Sequence, residues 1–503
     1  MNPGILLWII LLLPVVGSGI CQILRSPKNV MNFTCFGVAV IGILDIVTAG
    51  VVFSSNTISS CSEWLYMDAL SAYHLIVMAL VFCMSSLYGM RYFDKEINEG
   101  IFTLKSAKRY GILWFASLAA MTLILVSNNL GMMWVGMETT TLVTAFLICT
   151  RANKASIEGM WKYLIVCSVG IALAFMGTLF IAAATYKFQG SISGNGVLWT
   201  QLKMHAGLLD AKLAQIGFLF IFVGYGTKAG LAPMHTWLPD AHSQAPSPVS
   251  AVFSGFMLNA ALYCIMRYTS LIKLVPGNEN LSRDLFLFFG TLSIVVAAAF
   301  ILSQHDLKRL LAYHSVEHLG IIAIGLGMGP LGIFAALFHT LNHSICKSLG
   351  FFCAGRLGQI YGSYDMRGMT GALRLSPLWG GGLLGSLLAL IGIAPFALFM
   401  SELLIVKAAI ATNSIGVLVV FLAGSCIIFA AALKHVINVV YGTPPVLDFK
   451  PRRSSIPDTG IVVFSLGVLL VLGLWMPNSL HEILYRAANI MEGIDAATTV
   501  CVK

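Results

Sequence analysis

Apolar stretches of about 20 residues, each long enough to cross a bilayer as a helix, follow one another along nearly the whole sequence. Lipid offers a backbone no hydrogen-bond partner, so such stretches fold as helices. Of the 503 residues, 58% are hydrophobic and only 10% are charged, whereas soluble domains carry about 25% charged residues. The composition therefore excludes a soluble domain with a single anchor and predicts a polytopic membrane protein.

The hydropathy pattern predicts an all-α protein with about 14 transmembrane helices in a single membrane domain over 1–503. The first stretch, Gly4 to Leu24, lacks the basic region and cleavage site of a signal peptide, so we expect a retained span. The predicted spans lie near 4–24, 31–54, 67–90, 110–127, 130–150, 160–185, 211–233, 249–272, 284–303, 306–328, 331–355, 378–410, 414–441 and 459–477.

The basic residues predict the orientation, because cytoplasmic loops of membrane proteins carry an excess of Lys and Arg. With the N-terminus outside, about 18 of the 30 basic residues, Lys308 among them, fall in cytoplasmic loops. About eight, including Arg267, fall on the opposite side. We therefore expect both termini outside, and the net charge of +9 needs no nucleic acid as a partner. The remaining basic residues lie within spans: Lys228, Lys347, Lys407 and Lys434.

A lysine inside an apolar run, Lys228, is followed at once by the helix-breaking residue Pro233. A lysine at the bilayer centre costs roughly 2.5–3.5 kcal/mol, so it is seldom there without a function. A second long span breaks at Pro395. Paired breaks in the two halves of a chain indicate inverted repeats and an ion path.

We expect two inverted repeats of about five helices each. The first covers 110–272 and the second 284–441, with flanking helices and the tail in 1–109 and 459–503.

An intramembrane carboxylate, Glu138, precedes a run of three threonines, Thr139 to Thr141. Intramembrane carboxylates are usually functional. If Glu138 and Lys228 meet, each favours the charged form of the other, and separating them would release a proton. The alternative is a structural carboxylate that the threonines cap.

One helical face carries His339, His343 and Lys347, which are spaced i, i+4, i+8. Histidine titrates near neutral pH, so this row suits a proton relay. Hydrogen-bonded packing is an alternative. Zinc is another, although the local sequence shows no adjacent third ligand.

The scattered cysteines, with no Cys-x-x-Cys spacing, argue against iron–sulfur ligation.

Further candidates for the path lie in three other spans. His314 and His318 share a face with Glu317 nearby, although a solvated structural role fits equally well. Glu402 follows the Pro395 break and suits a terminal proton site, whereas Lys407 is close enough to the span end to snorkel. Lys434 suits a channel or an interhelical hydrogen bond. Asp45 has no obvious partner in the sequence.

A family resemblance covers nearly the whole chain. Lys228, Pro233 and His235, together with the run Trp237-Leu-Pro-Asp-Ala-His242 and the run 245–250, resemble the central signature of the antiporter-like subunits of respiratory complex I. That family includes cation/proton antiporters and membrane arms of energy-converting hydrogenases. The resemblance implies a fold of about 14 helices with two inverted repeats. It also implies a central line of charged residues that includes His235 and His242.

Two departures place the chain within that family. Asn259 stands where complex I members carry a lysine, and the run Tyr313-His-Ser-Val-Glu-His318 replaces their usual pair of serines. Both features are similar to component F of hydrogenase 4. An asparagine cannot carry a proton, so the link between the two half-channels needs water or a neighbouring group.

The resemblance implies a proton-translocating subunit of a multisubunit membrane oxidoreductase of the hydrogenase or formate hydrogenlyase type. We expect no cofactor or metal in this chain, and nickel–iron and iron–sulfur centres in partner subunits. The expected location is the inner membrane of a prokaryote. The alternatives are a sodium/proton antiporter subunit and a non-pumping scaffold for a soluble partner.

Overall fold

The computed structural model describes residues 3–186, 197–445 and 455–493. Five basic residues used for the orientation lie outside these ranges: Lys187, Lys450, Arg452, Arg453 and Lys503. A short antiparallel hairpin, β1 (Ile58–Ser60) and β2 (Leu65–Met67), pairs Ile58 with Met67. The helices of the described ranges are α1 (Gly4–Ile23), α2 (Pro27–Ser55), α3 (Ala69–Tyr92), α4 (Asp94–Asn98), α5 (Leu104–Val126), α6 (Leu130–Ile148), α7 (Lys154–Ala183), α8 (Trp199–Met204), α9 (Ala211–Ala229), α10 (Leu238–Gln244), α11 (Ser247–Val252), α12 (Leu258–Ile272), α13 (Leu281–Ile301), α14 (Leu307–Leu326), α15 (Gly329–Tyr361), α16 (Ala372–Leu375), α17 (Pro377–Leu390), α18 (Ala397–Ala411), α19 (Ile415–Val440), α20 (Ile456–Leu474) and α21 (Asn478–Glu492).

The all-α membrane fold is confirmed. Each predicted span coincides with a helix or a pair of consecutive helices. Within the described ranges, 11 helical segments are long and apolar enough to cross a membrane, judged by length and composition alone. The other predicted spans correspond to α14, α15 and the pair α17–α18. Those helices carry most of the titratable residues singled out above.

Three features were not predicted. The β1–β2 hairpin lies in a connection between spans, where hydropathy carries no signal. One π-helical turn, Phe253–Met257, joins α11 to α12. The amphipathic helix α21 packs on α3 and α15 and buries Leu484, Ala487 and Met491. A helix with one apolar stripe lies against the protein surface and does not resemble a span in hydropathy.

Both predicted helix breaks are confirmed. After α9, Gly230 adopts a left-handed conformation with φ of +78°, and a 3₁₀ turn, Met234–Trp237, leads into α10. After α17, Gly392 has φ of +67° before α18 begins. The Ala–Pro bonds at Pro233 and Pro395 are both cis. Each break falls in the fourth spanning segment of a predicted repeat, whose boundaries at 110–272 and 284–441 stay a prediction.

The interior of the protein is formed by the helices at the centre of the sequence. Every residue from Ser247 to Ile272 is buried, and α14 and α15 are buried over most of their length. The outer helices α1, α2, α19 and α20 expose many apolar side chains, as lipid-facing helices do. Polar groups held by α12, α14 and α15 are therefore shielded from lipid.

Glycine pairs bring two pairs of helices into backbone contact. Between α7 and α9, a Cβ added at Gly177 would stand 2.5 Å from the carbonyl oxygen of Gly217. Between α13 and α14, a Cβ at Gly290 would stand 2.8 Å from the carbonyl oxygen of Gly320. Small residues at such contacts are typical of closely packed membrane helices.

Two basic residues that we expected in loops are buried. Arg267 lies in α12, is 4% exposed and forms an ion pair with Asp68, with Nη1 and Oδ2 separated by 2.6 Å. Lys308 is 1% exposed and donates to the carbonyls of Ser243 and Ala245, at the C-terminal end of α10. The predicted loop position of both residues was wrong. The hydropathy pattern shows where a span ends, but it does not show which buried polar groups can pair with a basic side chain at that end.

Candidate functional site

The first buried cation, Lys228, lies at the end of α9 among hydroxyl groups. Its Nζ donates to Thr141 Oγ1 of α6 at 3.0 Å and to the hydroxyl of Tyr163 of α7. Thr144 Oγ1 donates to the carbonyl of Thr140 at 2.6 Å, so it accepts its bond of 2.6 Å from Tyr163. This chain of hydroxyls accepts hydrogen bonds from a charged lysine. The carbonyls freed at the end of α9 also favour a cation there.

Glu138 of α6 faces the same helices. Its Oε1 accepts a hydrogen bond from Ser168 of α7 at 3.3 Å, and its Oε2 is buried without a hydrogen-bond partner in the described ranges. The threonines that follow Glu138 donate to backbone carbonyls of their own helix and do not cap the carboxylate. Lys228 bonds Thr141, one helical turn from Glu138. The two charged groups are therefore neighbours separated by a hydroxyl.

In the second half, three helices bring a row of side chains together. His318 Nδ1 of α14 lies 2.9 Å from His339 Nε2 of α15, and His339 Nδ1 lies 2.8 Å from Ser401 Oγ of α18. Ser401 directs its proton to the carbonyl of Leu398 at 2.8 Å, so it accepts from His339. His339 Nε2 then accepts from His318, whose buried Nε2 is left as a proton acceptor. The row can pass a proton from one imidazole to the next.

Two further groups extend this row. His314 Nδ1 lies 2.7 Å from Glu317 Oε2, one turn before His318 on α14. The ring of His343 lies 5.1 Å from that of His318, and both of its nitrogens are buried without partners in the described chain. Lys347, one turn beyond His343, donates to the carbonyl of Leu311. The predicted row of His339, His343 and Lys347 thus lies inside the protein beside the two histidines of α14.

The fold corrects one premise about metals. The local sequence offers no third ligand beside His339, but His318, His339 and Glu402 each bring one donor atom within 4.8 Å of the others. His314, Glu317 and His318 form a second such set. His318 Nδ1 and His339 Nε2 are already joined by a hydrogen bond, which a metal ion bound through these two nitrogens would have to break. We therefore interpret the group as a hydrogen-bonded row.

His242 of α10 lies between the two halves. Its Nδ1 donates to the carbonyl of Leu238 at 2.8 Å, so its buried Nε2, which has no partner among the described residues, is a proton acceptor. Its ring lies 6.0 Å from that of Trp237, which contacts Tyr163 at 5.0 Å. On the other side, Phe351 lies 5.9 Å from the His242 ring and 5.5 Å from Lys347 Nζ. His242 is the titratable group that stands between Lys228 and Lys347.

Asn259 lies deeper in the same interface. It donates to the carbonyl of Gly255 at 2.9 Å and to Ser344 Oγ of α15 at 3.1 Å, while its Oδ1 is buried without a partner in the described ranges.

His235 lies in the 3₁₀ turn at the first break. Its ring is 6.3 Å from that of Tyr313, the first residue of the run similar to hydrogenase 4.

Three candidates lie outside this buried group. Lys407 and Lys434 have exposed side chains on α18 and α19, as expected for a snorkelling lysine in the case of Lys407. The place of Lys434 in the path stays a prediction. Asp45 is fully buried in α2, and its carboxylate has no partner in the described chain.

The partners that organise the site were not found from the sequence. Tyr163, Ser168 and Ser401 are common residue types whose positions on α7 and α18 carry no periodic signal. Asp68 forms a buried ion pair with Arg267 and also caps α3, accepting from the amides of Leu70 and Ser71. Its position directly before an apolar helix is the signal of a cap.

Taken together, these groups form two clusters, which we call stations; most of their side chains are buried, and Glu138 and Glu402 are half-buried. One holds Lys228 and Glu138, and the other holds the histidines of α14 and α15 with Lys347, Glu317 and Glu402. Among the described residues these groups supply imidazole, ammonium and carboxylate groups, which exchange protons. They lie within helices long enough to cross a bilayer, or packed among such helices.

Comparison with known proteins agrees with this geometry. The sequence model for the family described as NADH:quinone oxidoreductase/Mrp antiporter, transmembrane, matches residues 127–428. The chain is 37% identical over 409 residues to the hydrogenase-4 component F homolog of Methylacidiphilum infernorum, which covers 80% of this chain and 85% of that one. It is 31% identical over 350 residues to hydrogenase-4 component B of Escherichia coli, covering 67% of this chain but only 50% of that relative.

A solved structure shares the whole fold. A chain of the membrane-bound sulfane sulfur reductase, an archaeal respiratory membrane complex, superposes with a TM-score of 0.85 over 99% of both chains, at 22% identity. The match of the family model over more than half of the sequence, with the buried lysine and both broken helices inside it, shows that this chain belongs to the NADH:quinone oxidoreductase/Mrp antiporter family of transmembrane proteins.

Proposed function

We propose that this chain is the proton-translocating, antiporter-like subunit of a multisubunit membrane oxidoreductase of the energy-converting hydrogenase type. Electron transfer in partner subunits drives protons through the chain. The observation that carries the proposal is the row of titratable side chains that runs from half-buried Glu138 and buried Lys228, past His242, to His318, His339 and half-buried Glu402. Buried ionisable groups at membrane depth mark ion pathways.

The chemistry of the row favours protons over sodium. Hard cations bind through several oxygen atoms, whereas the second station presents imidazole nitrogens, two of which are joined by a hydrogen bond. At the first station, the hydroxyl oxygens accept hydrogen bonds from Lys228 and from one another, so they are already occupied. A sodium/proton antiporter subunit is the second candidate, which the family's Mrp members support.

Partner subunits complete the proposal. The relatives named hydrogenase-4 components and formate hydrogenlyase subunit 3 support a complex of the hydrogenase or formate hydrogenlyase type. We expect nickel–iron and iron–sulfur centres in its other subunits. The proposed location is the inner membrane of a prokaryote, with both termini outside. In this arrangement the redox energy changes the distance between charged groups, and the pKa of each group follows.

The first prediction concerns Glu138. In the purified complex in liposomes, under an imposed potassium diffusion potential, Glu138→Gln is expected to slow proton uptake about a hundredfold, the scale of a lost proton-transfer group. Glutamine keeps the shape and the bond to Ser168, so assembly should be preserved. Proton uptake is followed with a pH-sensitive dye in sodium-free and sodium-containing buffers.

Glu158→Gln is the matched control, because Glu158 lies on the exposed end of α7 and pairs with Lys162 at 2.7 Å. Unchanged proton uptake in an assembled Glu138→Gln complex contradicts the proposal. Uptake that requires sodium in the unmodified complex supports the antiporter alternative. The scaffold alternative is supported by two results together. The unmodified complex moves no protons, and the Lys228→Ala complex keeps its redox activity.

A further inference from the structure

A groove on the outer surface combines a basic mouth with apolar walls. Its volume is about 680 Å³, and its lining residues come from the first turns of α5: Leu104, Lys105, Lys108, Arg109, Ile112 and Leu113. Spacings of three and four residues place these side chains on one helical face. None of these lining residues belongs to the row of titratable groups, whose first members lie on α6 and α9.

The basic side chains at the mouth are held in place. Lys108 Nζ donates to the carbonyl of Gln22 at 2.7 Å, near the end of α1. Arg109 Nη2 donates to the carbonyls of Phe146 and Cys149, at the end of α6, at 3.1 and 2.9 Å. A lysine carries three donors and an arginine five, so both retain free donors. Lys105 is exposed and points its charge to the same mouth.

The walls continue the groove along the helix toward the membrane interior. Leu104, Ile112 and Leu113 are half-buried, and the exposed side chain of Phe146 stands nearby on α6. The lining contains no carboxylate. A soluble anion would use the three cations but not the hydrocarbon walls, whereas a ligand with an anionic head and an acyl chain uses both.

We propose that this groove binds an anionic phospholipid. The phosphate interacts with Lys105, Lys108 and Arg109, and an acyl chain lies against Leu104, Ile112 and Leu113. Because Lys108 and Arg109 also hold the ends of α1 and α6, the bound lipid joins three helices at the face of the protein where α5 begins. Lipid binding at this groove involves none of the residues proposed to transfer protons, so this inference does not depend on the proposed function.

The test uses the purified complex and a photoreactive phosphatidylglycerol that carries a diazirine on its acyl chain. We expect cross-linking to the peptide that contains Ile112 and Leu113, and much weaker labelling by phosphatidylcholine with the same tag. Lys105→Gln is expected to lower labelling by phosphatidylglycerol about fivefold, the effect of one charge near an anionic lipid surface. Lys105 donates no hydrogen bond to the described protein, so the variant should fold normally.

Lys28→Gln is the matched control, because Lys28 is an exposed lysine in the first turn of α2, on the same face but outside the groove. Ile112→Trp fills the groove without changing charge and should also reduce labelling. Equal labelling by the two lipids overturns the proposal, as does unchanged labelling in both groove variants. Displacement of the lipid by excess inorganic phosphate assigns the site to a free anion and overturns it equally.

Discussion

At the scale of single residues, buried charges in this protein are satisfied by partners on other helices. Arg267 donates to Asp68 through both terminal nitrogens, at 2.6 and 2.7 Å, and through Nε to the Tyr263 hydroxyl at 2.8 Å. Both charged side chains are at most 5% exposed. A buried pair of this kind is strongly destabilising when only one partner is lost.

Asp68→Asn is expected to lower the free energy of unfolding by about 3–5 kcal/mol, because it leaves Arg267 charged and uncompensated. Asparagine still caps α3, so the cap does not contribute to the loss. Adding Arg267→Met should recover much of the stability. Denaturation in mild detergent measures both variants; a double variant less stable than Asp68→Asn would contradict this account of the pair.

The sequence predicted residues whose neighbours lie on the same helix. His339, His343 and Lys347 share a face because helical spacing places them there, and all three are buried. The bond between His318 and His339 joins α14 to α15, and the bond to Ser401 adds α18. Such contacts depend on how helices pack, which the spacing of residues in one helix does not specify.

At the scale of elements, the break between α17 and α18 positions Glu402. Gly392 has φ of +67°, and a Cβ at this residue would overlap the carboxylate of Glu402. Both breaks followed from proline in an apolar run, because proline cannot continue a helix. The role of the glycine next to each break was not predicted, because it depends on which side chain packs against that glycine in the folded protein.

Gly392→Ala is expected to displace Glu402 and to slow proton uptake about tenfold or more, through loss of its position at the end of the row. The matched control is Gly362→Ala. Gly362 has φ of +70° with open space around its Cβ position, so both variants carry the backbone cost of about 1–2 kcal/mol. Proton uptake in liposomes and thermal stability are measured together. Equal uptake by the two variants would show that Glu402 does not depend on this glycine.

At the scale of the whole molecule, the two ends of the described chain lie on one face. Gly4 lies against the strand residues Ser59 and Ser60, and Arg486 of α21 donates to the carbonyl of Phe53 at 2.8 Å. The loop after α15, which contains Ser363, lies at the opposite face by the alternation of the helices. The distribution of basic residues predicts that the face with the two ends is outside.

Labelling of cysteines in intact cells tests this orientation. Cys61 is exposed in the turn between β1 and β2, so a membrane-impermeant maleimide should label it without permeabilisation. Cys501→Ser, which removes the cysteine near the C-terminus, is the parent for both variants. In that parent, Cys61→Ser removes the signal and serves as the background for Ser363→Cys, which should react only after the membrane is opened. The reverse pattern would place both ends inside the cell.

The glycine contacts between α7 and α9 and between α13 and α14 limit how force can travel through the protein. With a backbone carbonyl directly against a glycine in each pair, a sliding motion of one helix past its neighbour would drive main chain into main chain. We therefore expect these four helices to keep their relative positions. Under the proposed function, energy that reaches this subunit from its partners crosses these helices through changes in charge and hydrogen bonding, without sliding of one helix past another.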